Sequence, residues 1–283
     1  MAAISIGLAG LCGWLTFDIS AGVAACDAGR SSPGCTELET SGTFRSQDVV
    51  KVIGLLGFLP FVAGTLLGAP LVAREIELRT ASVSWTLSVS RLRWLVAIAA
   101  PVIGVGALSV ALAAAAGLLL VAAYAPAMDP WRTFEHFGLY GPVLVVRYVA
   151  VAAIGVLAGI SLGRTLPALI ASASGALALF FVLNATTTLW LPPAELPTVD
   201  EPGATLGRLF VRQMVRMPDG QLLPFEEALA IDPELDGVLE SIEFGLTADR
   251  ALDVTIREDA ALLAGAAIVT GAGIVLLRRR RPY

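Results

Sequence analysis

The side chains that most often carry chemistry are scarce in this chain. It has one histidine, His136, and one lysine, Lys51. One histidine is too few for most histidine-based catalytic or metal sites, so we expect His136 to be a surface or interfacial residue. No glycine-rich loop leads into Lys51, and the sequence thus has no P-loop. We expect the chain not to be an enzyme and to bind no cofactor or metal itself; if ATP drives its function, another chain must bind it.

The second feature whose side chains could carry a function is a polar segment at residues 73–94. It carries charged and hydroxyl side chains between two long apolar runs. One interpretation is a short helix along a membrane surface, with Glu75, Glu77, Arg79 and Arg91 available to a partner protein. A solvated loop between two helices explains the composition as well.

Two polar residues lie within otherwise apolar runs. Arg147 is an isolated charge, and a charge inside a membrane helix marks a functional site by default. We expect its guanidinium to reach the outer surface or to pair with Asp129 or Glu135. Asn184 is the second residue; Arg147 and Asn184 are candidates for a translocation path, although hydrogen bonding between helices explains Asn184 equally well.

The elements that position these residues follow from composition. The chain has 283 residues, of which 56% are hydrophobic and 15% are charged, and its mean hydropathy is +0.78. Soluble domains average about 25% charged residues. A spanning helix needs roughly 20 apolar residues, and the uncharged runs are 1–17, 52–73, 94–128, 148–163, 165–194 and 260–277. We therefore predict an all-α polytopic membrane protein with six transmembrane helices, the fourth beginning near Gly141.

Positive charge predicts the orientation. With six spans, one side receives nine arginines and two glutamates, and the other receives nine basic and twenty-two acidic residues. Arginines in short loops face the cytoplasm, which places both termini and the 73–94 segment there, in a multi-pass protein of the cell membrane. The first run lacks a basic leader and a clear cleavage site, so we interpret it as a retained span.

The outer side carries two further features. Residues 191–256 are acidic, and apolar residues from Leu206 to Met217 recur at helical spacing, which predicts an amphipathic helix in a small, mainly helical extracellular domain between the fifth and sixth transmembrane helices. A calcium-loop spacing at 232–243 is better explained as a solvated acidic turn. Cys26 and Cys35 share the first outer loop, where they form a disulfide or remain two free thiols.

One stretch resembles a known family. Residues 68–77, Thr80 and residues 85–95 resemble the membrane subunits of ATP-binding cassette (ABC) type-2 transporters, closest to the export permeases abundant in high-GC actinobacteria. The paired cysteines and the turn at 163–168 extend the resemblance over about residues 20–190. The family usually has glycine where Arg79 stands and often lysine where Ile98 stands, and it usually has an amphipathic segment before the first span.

The resemblance implies an export permease. Residues 1–190 would hold transmembrane helices one to five, with a coupling segment at 73–94 that sits in a cleft of a separately encoded ATPase. Residues 191–256 would form the outer domain, and 257–283 the sixth helix and a basic tail. The implied ATPase-coupling residues are Arg74, Glu75, Glu77, Thr80, Ser88, Ser90 and Arg91.

The implied complex contains two permease subunits, as a homodimer or heterodimer, and two ATPase subunits that bind ATP and Mg²⁺. Its other partners are membrane lipids, with no nucleic acid, and its cargo is a drug, a lipid or a peptide. The alternative is a membrane-anchored sensor or assembly subunit whose outer domain binds a ligand or a partner.

Overall fold

The computed structural model describes residues 2–29, 33–41, 43–81, 90–196, 207–217, 220–231 and 240–279. Its helices are α1 (Ala2–Asp27), α2 (Pro33–Ser41), α3 (Ser46–Glu77), α4 (Arg91–Tyr124), α5 (Val143–Leu162), α6 (Thr165–Thr186), α7 (Phe225–Ile231) and α8 (Ala251–Arg279). Its strands are β1 (Ala194–Glu195), β2 (Leu209–Arg216), β3 (Leu222–Pro224) and β4 (Glu240–Leu246).

The six-helix prediction is confirmed. Among the described residues, six helices are long and apolar enough to cross a membrane, namely α1, α3, α4, α5, α6 and α8. Several of them extend past the uncharged runs. The first helix ends at Asp27 rather than at 17, and the last helix begins at Ala251 rather than at 260. A run without charges underestimates a helix whose end carries charged side chains, because such side chains are tolerated where they pair or reach the interface.

Helix α5 lies at the centre of the bundle, where it packs against α3, α4, α6 and α8, while α1 packs against α4. The crossing of α3 and α5 is close because glycines line it. A Cβ atom added to Gly68 would lie 2.7 Å from the carbonyl oxygen of Ala152, and one added to Gly155 would lie 2.8 Å from the backbone nitrogen of Ala69. Small residues spaced four apart on both helices allow this approach in a membrane.

The domain between α6 and α8 contains a sheet. Its four antiparallel strands run in the order β1-β4-β2-β3, and β2 pairs with β4 along its length. The prediction of an amphipathic helix over 206–217 was therefore wrong, as was a mainly helical outer domain; the one α-helix among its described residues is the short α7. Leu209, Val211 and Val215 also fit a period of two, so the short apolar pattern suits a strand as well as a helix, and pairing with β4 decided between them.

Candidate functional site

The arginines that predicted the orientation gather at one end of the bundle. We call it the basic end; it holds the end of α3, the start of α4, the α5–α6 turn and the end of α8, with Arg74, Arg79, Arg91, Arg93, Arg164, Arg278 and Arg279. The opposite end, with the α1–α2 connection and the sheet domain, is the acidic end.

Helix α3 stops at the basic end through a local backbone change. The N–H of Leu78 donates to the carbonyl of Arg74, and the N–H of Arg79 donates to that of Ile76. Arg79 has a φ of 60°, a left-handed conformation that favours glycine. The helix-ending turn therefore forms here with a residue that is less suited to this conformation than glycine.

Glu77 connects the end of α3 to the start of α6. Its Oε2 accepts hydrogen bonds from the backbone N–H of Thr165 at 2.8 Å and from Thr165 Oγ1 at 2.7 Å. The first N–H groups of a helix have no partner within the helix, and a carboxylate there is also favoured by the helix dipole. Glu77 therefore caps α6 from a different helix.

Arg91 makes the equivalent contact at the end of α8. Its Nη1 donates to the carbonyls of Leu277 at 3.0 Å and Arg278 at 2.9 Å, which are groups left unpaired at a helix C-terminus. Ser90 caps its own helix, since its Oγ accepts from the N–H of Arg93 at 3.3 Å. The two described ends of the 73–94 segment are thus bonded to α6 and to α8.

The other predicted coupling residues are placed as follows. Thr80 donates to the backbone carbonyl and the side chain of Glu75, which stabilises the turn after α3. Arg74 is exposed, and Ser88 lies outside the described residues. One interpretation of the sequence makes the Glu77 and Arg91 side chains available to a partner protein; in the structure both bond to other helices of the same chain.

Arg147 forms a buried ion pair. Its Nη2 lies 2.6 Å from Glu258 Oε1, its Nε lies 3.2 Å from the same oxygen, and its Nη1 donates to the carbonyl of Gly138 at 2.6 Å. Arg147 is 5% exposed and Glu258 is 0% exposed. The expected exit to the surface or pairing with Asp129 or Glu135 was therefore wrong.

The reason for this difference is the early start of α8, which carries Glu258 into the bundle opposite α5. A buried arginine is stable only when a counter-charge and further acceptors satisfy it, and Glu258 with Gly138 supplies both. The signal in the sequence was the acidic pair directly before the run 260–277, which lies within the residues 257–283 assigned to the sixth helix and its tail.

Asn184 lies on α6 and is exposed, and its Nδ2 donates to the carbonyl of Phe180 at 2.8 Å. This bond closes within its own helix. No hydrogen bond joins Asn184 to Arg147, so the structure does not assemble the two candidate path residues into one polar site.

At the acidic end, a disulfide joins two helices covalently. Cys26 and Cys35 form a disulfide between the end of α1 and α2. Glu37 of α2 accepts from the N–H of Ser46 at 2.9 Å and from that of Arg45 at 3.2 Å, so it caps α3. Slight burial raises the pKa of the Glu37 carboxyl. The hydrogen bonds from Ser46, Arg45 and Thr43 lower it by more, so the pKa lies below its usual range. Helices α1, α2 and α3 are therefore joined at this end.

Comparison with known proteins connects this arrangement to a family. The model of the family described as "ABC-2 membrane transporter related" matches residues 1–190. No curated protein and no solved structure matches the chain. The matched region contains the first five membrane helices and the whole 73–94 segment. The chain therefore belongs to the ABC-2 membrane transporter related family, as a permease-like membrane component of ABC transport.

Proposed function

We propose that this chain is the permease subunit of an ATP-driven exporter, powered by a separately encoded ATPase. The family supports partnership with an ABC ATPase, and the sequence lacks a P-loop of its own. In this proposal ATP and Mg²⁺ bind to the partner, two permease and two ATPase subunits form the complex, and the cargo is a drug, a lipid or a peptide.

The observation that carries the proposal is the attachment of the 73–94 segment. It continues directly from α3 and into α4, Glu77 bonds to the start of α6, and Arg91 bonds to the end of α8. A displacement of this segment therefore acts on four membrane helices at once, namely α3, α4, α6 and α8. Coupling requires an element whose contacts differ between two states of the transporter, and these bonds support the proposal that the 73–94 segment is that element.

We expect that reversing either attachment uncouples the permease. Glu77→Arg places a cation at the N-terminus of α6, and Arg91→Glu places an anion at the C-terminus of α8, so both oppose the helix dipole as well as removing the bonds. Because both changes weaken the proposed coupling, we expect the permease-stimulated ATPase rate to fall at least about fivefold. The measurement is ATP hydrolysis by the reconstituted complex.

The matched control for Arg91→Glu is Arg250→Glu, which makes the same charge change in an exposed residue at the acidic end. It should leave the stimulated rate unchanged. Stimulated hydrolysis equal to wild type in both Glu77→Arg and Arg91→Glu would contradict the coupling role. Failure of any ATPase to co-purify with the chain would instead favour a sensor or assembly subunit.

The proposed orientation places the basic end in the cytoplasm, because arginines in short connections remain on that side. The disulfide at the acidic end supports it, since disulfides persist in oxidising compartments. In intact cells treated with a reductant, Cys26 and Cys35 should react with a membrane-impermeant maleimide, whereas a cysteine introduced by Ser90→Cys should react only after the cells are opened. The Ser90→Cys measurement is made without reductant, so that Cys26 and Cys35 stay bonded to each other; the native Cys12 is fully buried, and the background is then low. Labelling of Ser90→Cys in intact cells would reverse the orientation.

A further inference from the structure

An apolar groove lies between α5, α6 and α8. Its volume is about 570 Å³, which is within the range of roughly 300–1,000 Å³ typical of small-molecule sites. Its walls include Ile154 of α5, Leu179 and Leu183 of α6, and Leu262 and Val269 of α8. From Glu258 to Val269 the groove follows α8 for about 16 Å, at 1.5 Å per residue.

Two polar atoms at one end of this groove have no partner. Glu258 Oε2 and Trp190 Nε1 are buried without a hydrogen bond, and both residues line the groove. The other carboxylate oxygen, Oε1, is already occupied by Arg147. Trp190 is held in place because Arg257 Nη1 donates to its backbone carbonyl at 3.2 Å. Buried polar atoms are nearly always paired in native proteins, so each of these two atoms has room for a partner that the chain itself does not supply.

A single ligand group that satisfies both atoms donates a hydrogen bond to the carboxylate oxygen of Glu258 and accepts one from the indole N–H of Trp190. A hydroxyl does both, whereas an ammonium group has no acceptor and an ionised carboxylate has no donor. Charge indicates the same choice: Glu258 is already paired with Arg147, so an ionic head would be buried without a counter-charge of its own.

We propose that this groove binds a neutral amphiphile whose head carries a hydroxyl group. The hydroxyl lies between Glu258 and Trp190, and the apolar chain extends along α8 toward Val269. The site is built by this chain alone, so it does not depend on the ATPase or on the export function proposed above.

Binding of radiolabelled 1-monooleoylglycerol to the purified full-length chain in phosphatidylcholine nanodiscs tests the proposal. We expect saturable binding to wild type. Gly265→Leu should lower the affinity at least about tenfold, because Gly265 lines the groove and a Cβ there meets no atom within 4 Å, so the new side chain fills the groove without displacing protein. Trp190→Phe keeps the ring but removes one hydrogen bond, which lowers affinity roughly 2- to 10-fold.

Gly271→Leu is the matched control, since Gly271 is exposed on the same helix, also meets no atom within 4 Å, and does not line the groove. It should bind the probe as wild type does. Methyl oleate, which has no donor, should compete at least about tenfold less well than unlabelled 1-monooleoylglycerol. Wild-type affinity in Gly265→Leu would overturn the site, and stronger competition by oleylamine than by 1-monooleoylglycerol would overturn the neutral head.

Discussion

Replacing Glu258 with alanine is expected to lower the free energy of unfolding by about 3–5 kcal/mol. The substitution leaves Arg147 as a charge that is 5% exposed with one carbonyl, that of Gly138, as its remaining partner. Breaking a buried pair on one side costs far more than removing both charges, because the remaining charge stays desolvated. The change is measured by titrating the purified protein with SDS and following the loss of helical structure.

Two further variants make this prediction specific. Arg147→Met combined with Glu258→Leu should recover most of the lost stability, because apolar residues of similar volume replace a buried pair at little cost. Asp253→Ala removes an exposed carboxylate from the same helix, where the ion pair with Arg250 is at 3.8 Å, and should change the stability by less than about 1 kcal/mol. If Glu258→Ala were no less stable than Asp253→Ala, the pair would not be a structural link between α5 and α8.

Replacing Gly155 with leucine is expected to separate the two central helices. The Cβ atom alone would lie 2.8 Å from the backbone nitrogen of Ala69 and 3.0 Å from the carbonyl carbon of Gly68. Backbone atoms of a packed helix have no alternative rotamer, so α3 must move away from α5. Overpacking costs typically about 1–3 kcal/mol and more where the structure does not relax. We therefore expect Gly155→Leu to lose at least about 3 kcal/mol and most of its monodisperse yield in size-exclusion chromatography.

The control for the helix crossing is Gly54→Leu, which adds the same side chain to α3 at a glycine whose added Cβ meets no atom within 4 Å. Its yield and thermal midpoint should match wild type. Comparable losses in Gly54→Leu and Gly155→Leu would mean that leucine is harmful at any glycine in these helices, and the close approach of α3 and α5 would not be the cause.

At the basic end, the sequence predicts which segment matters but not which residues its side chains bond to. The resemblance selected the 73–94 segment, and the structure places its Glu77 and Arg91 against Thr165 and against the carbonyl of Leu277. No local pattern predicts these bonds, because each joins helices that are far apart along the chain. The bonds exist only once α6 and α8 stand beside α3 and α4.

Strand β2 and the partner of Arg147 are two further features that local sequence patterns do not predict. The residues of β2 fit both helical and strand periods over a short run, and only the hydrogen bonds to β4 select the strand. Arg147 had nearby acids in the sequence, yet its partner is Glu258, which comes from the last helix. The sequence did contain a usable sign of the central crossing, since Gly64 and Gly68 on α3 and Gly155 and Gly159 on α5 are each spaced four apart.

By itself the sequence determined the number of membrane helices, the end of the bundle where arginine collects, and the family. Each depends on composition or short motifs, because in a lipid environment a helix satisfies its own backbone and apolar length alone suffices to predict it. The tertiary structure alone decided where α8 begins, which carboxylate neutralises Arg147, and that the domain between α6 and α8 contains a sheet. Those outcomes depend on desolvation and on pairing between distant segments, which exist only after the helices have packed.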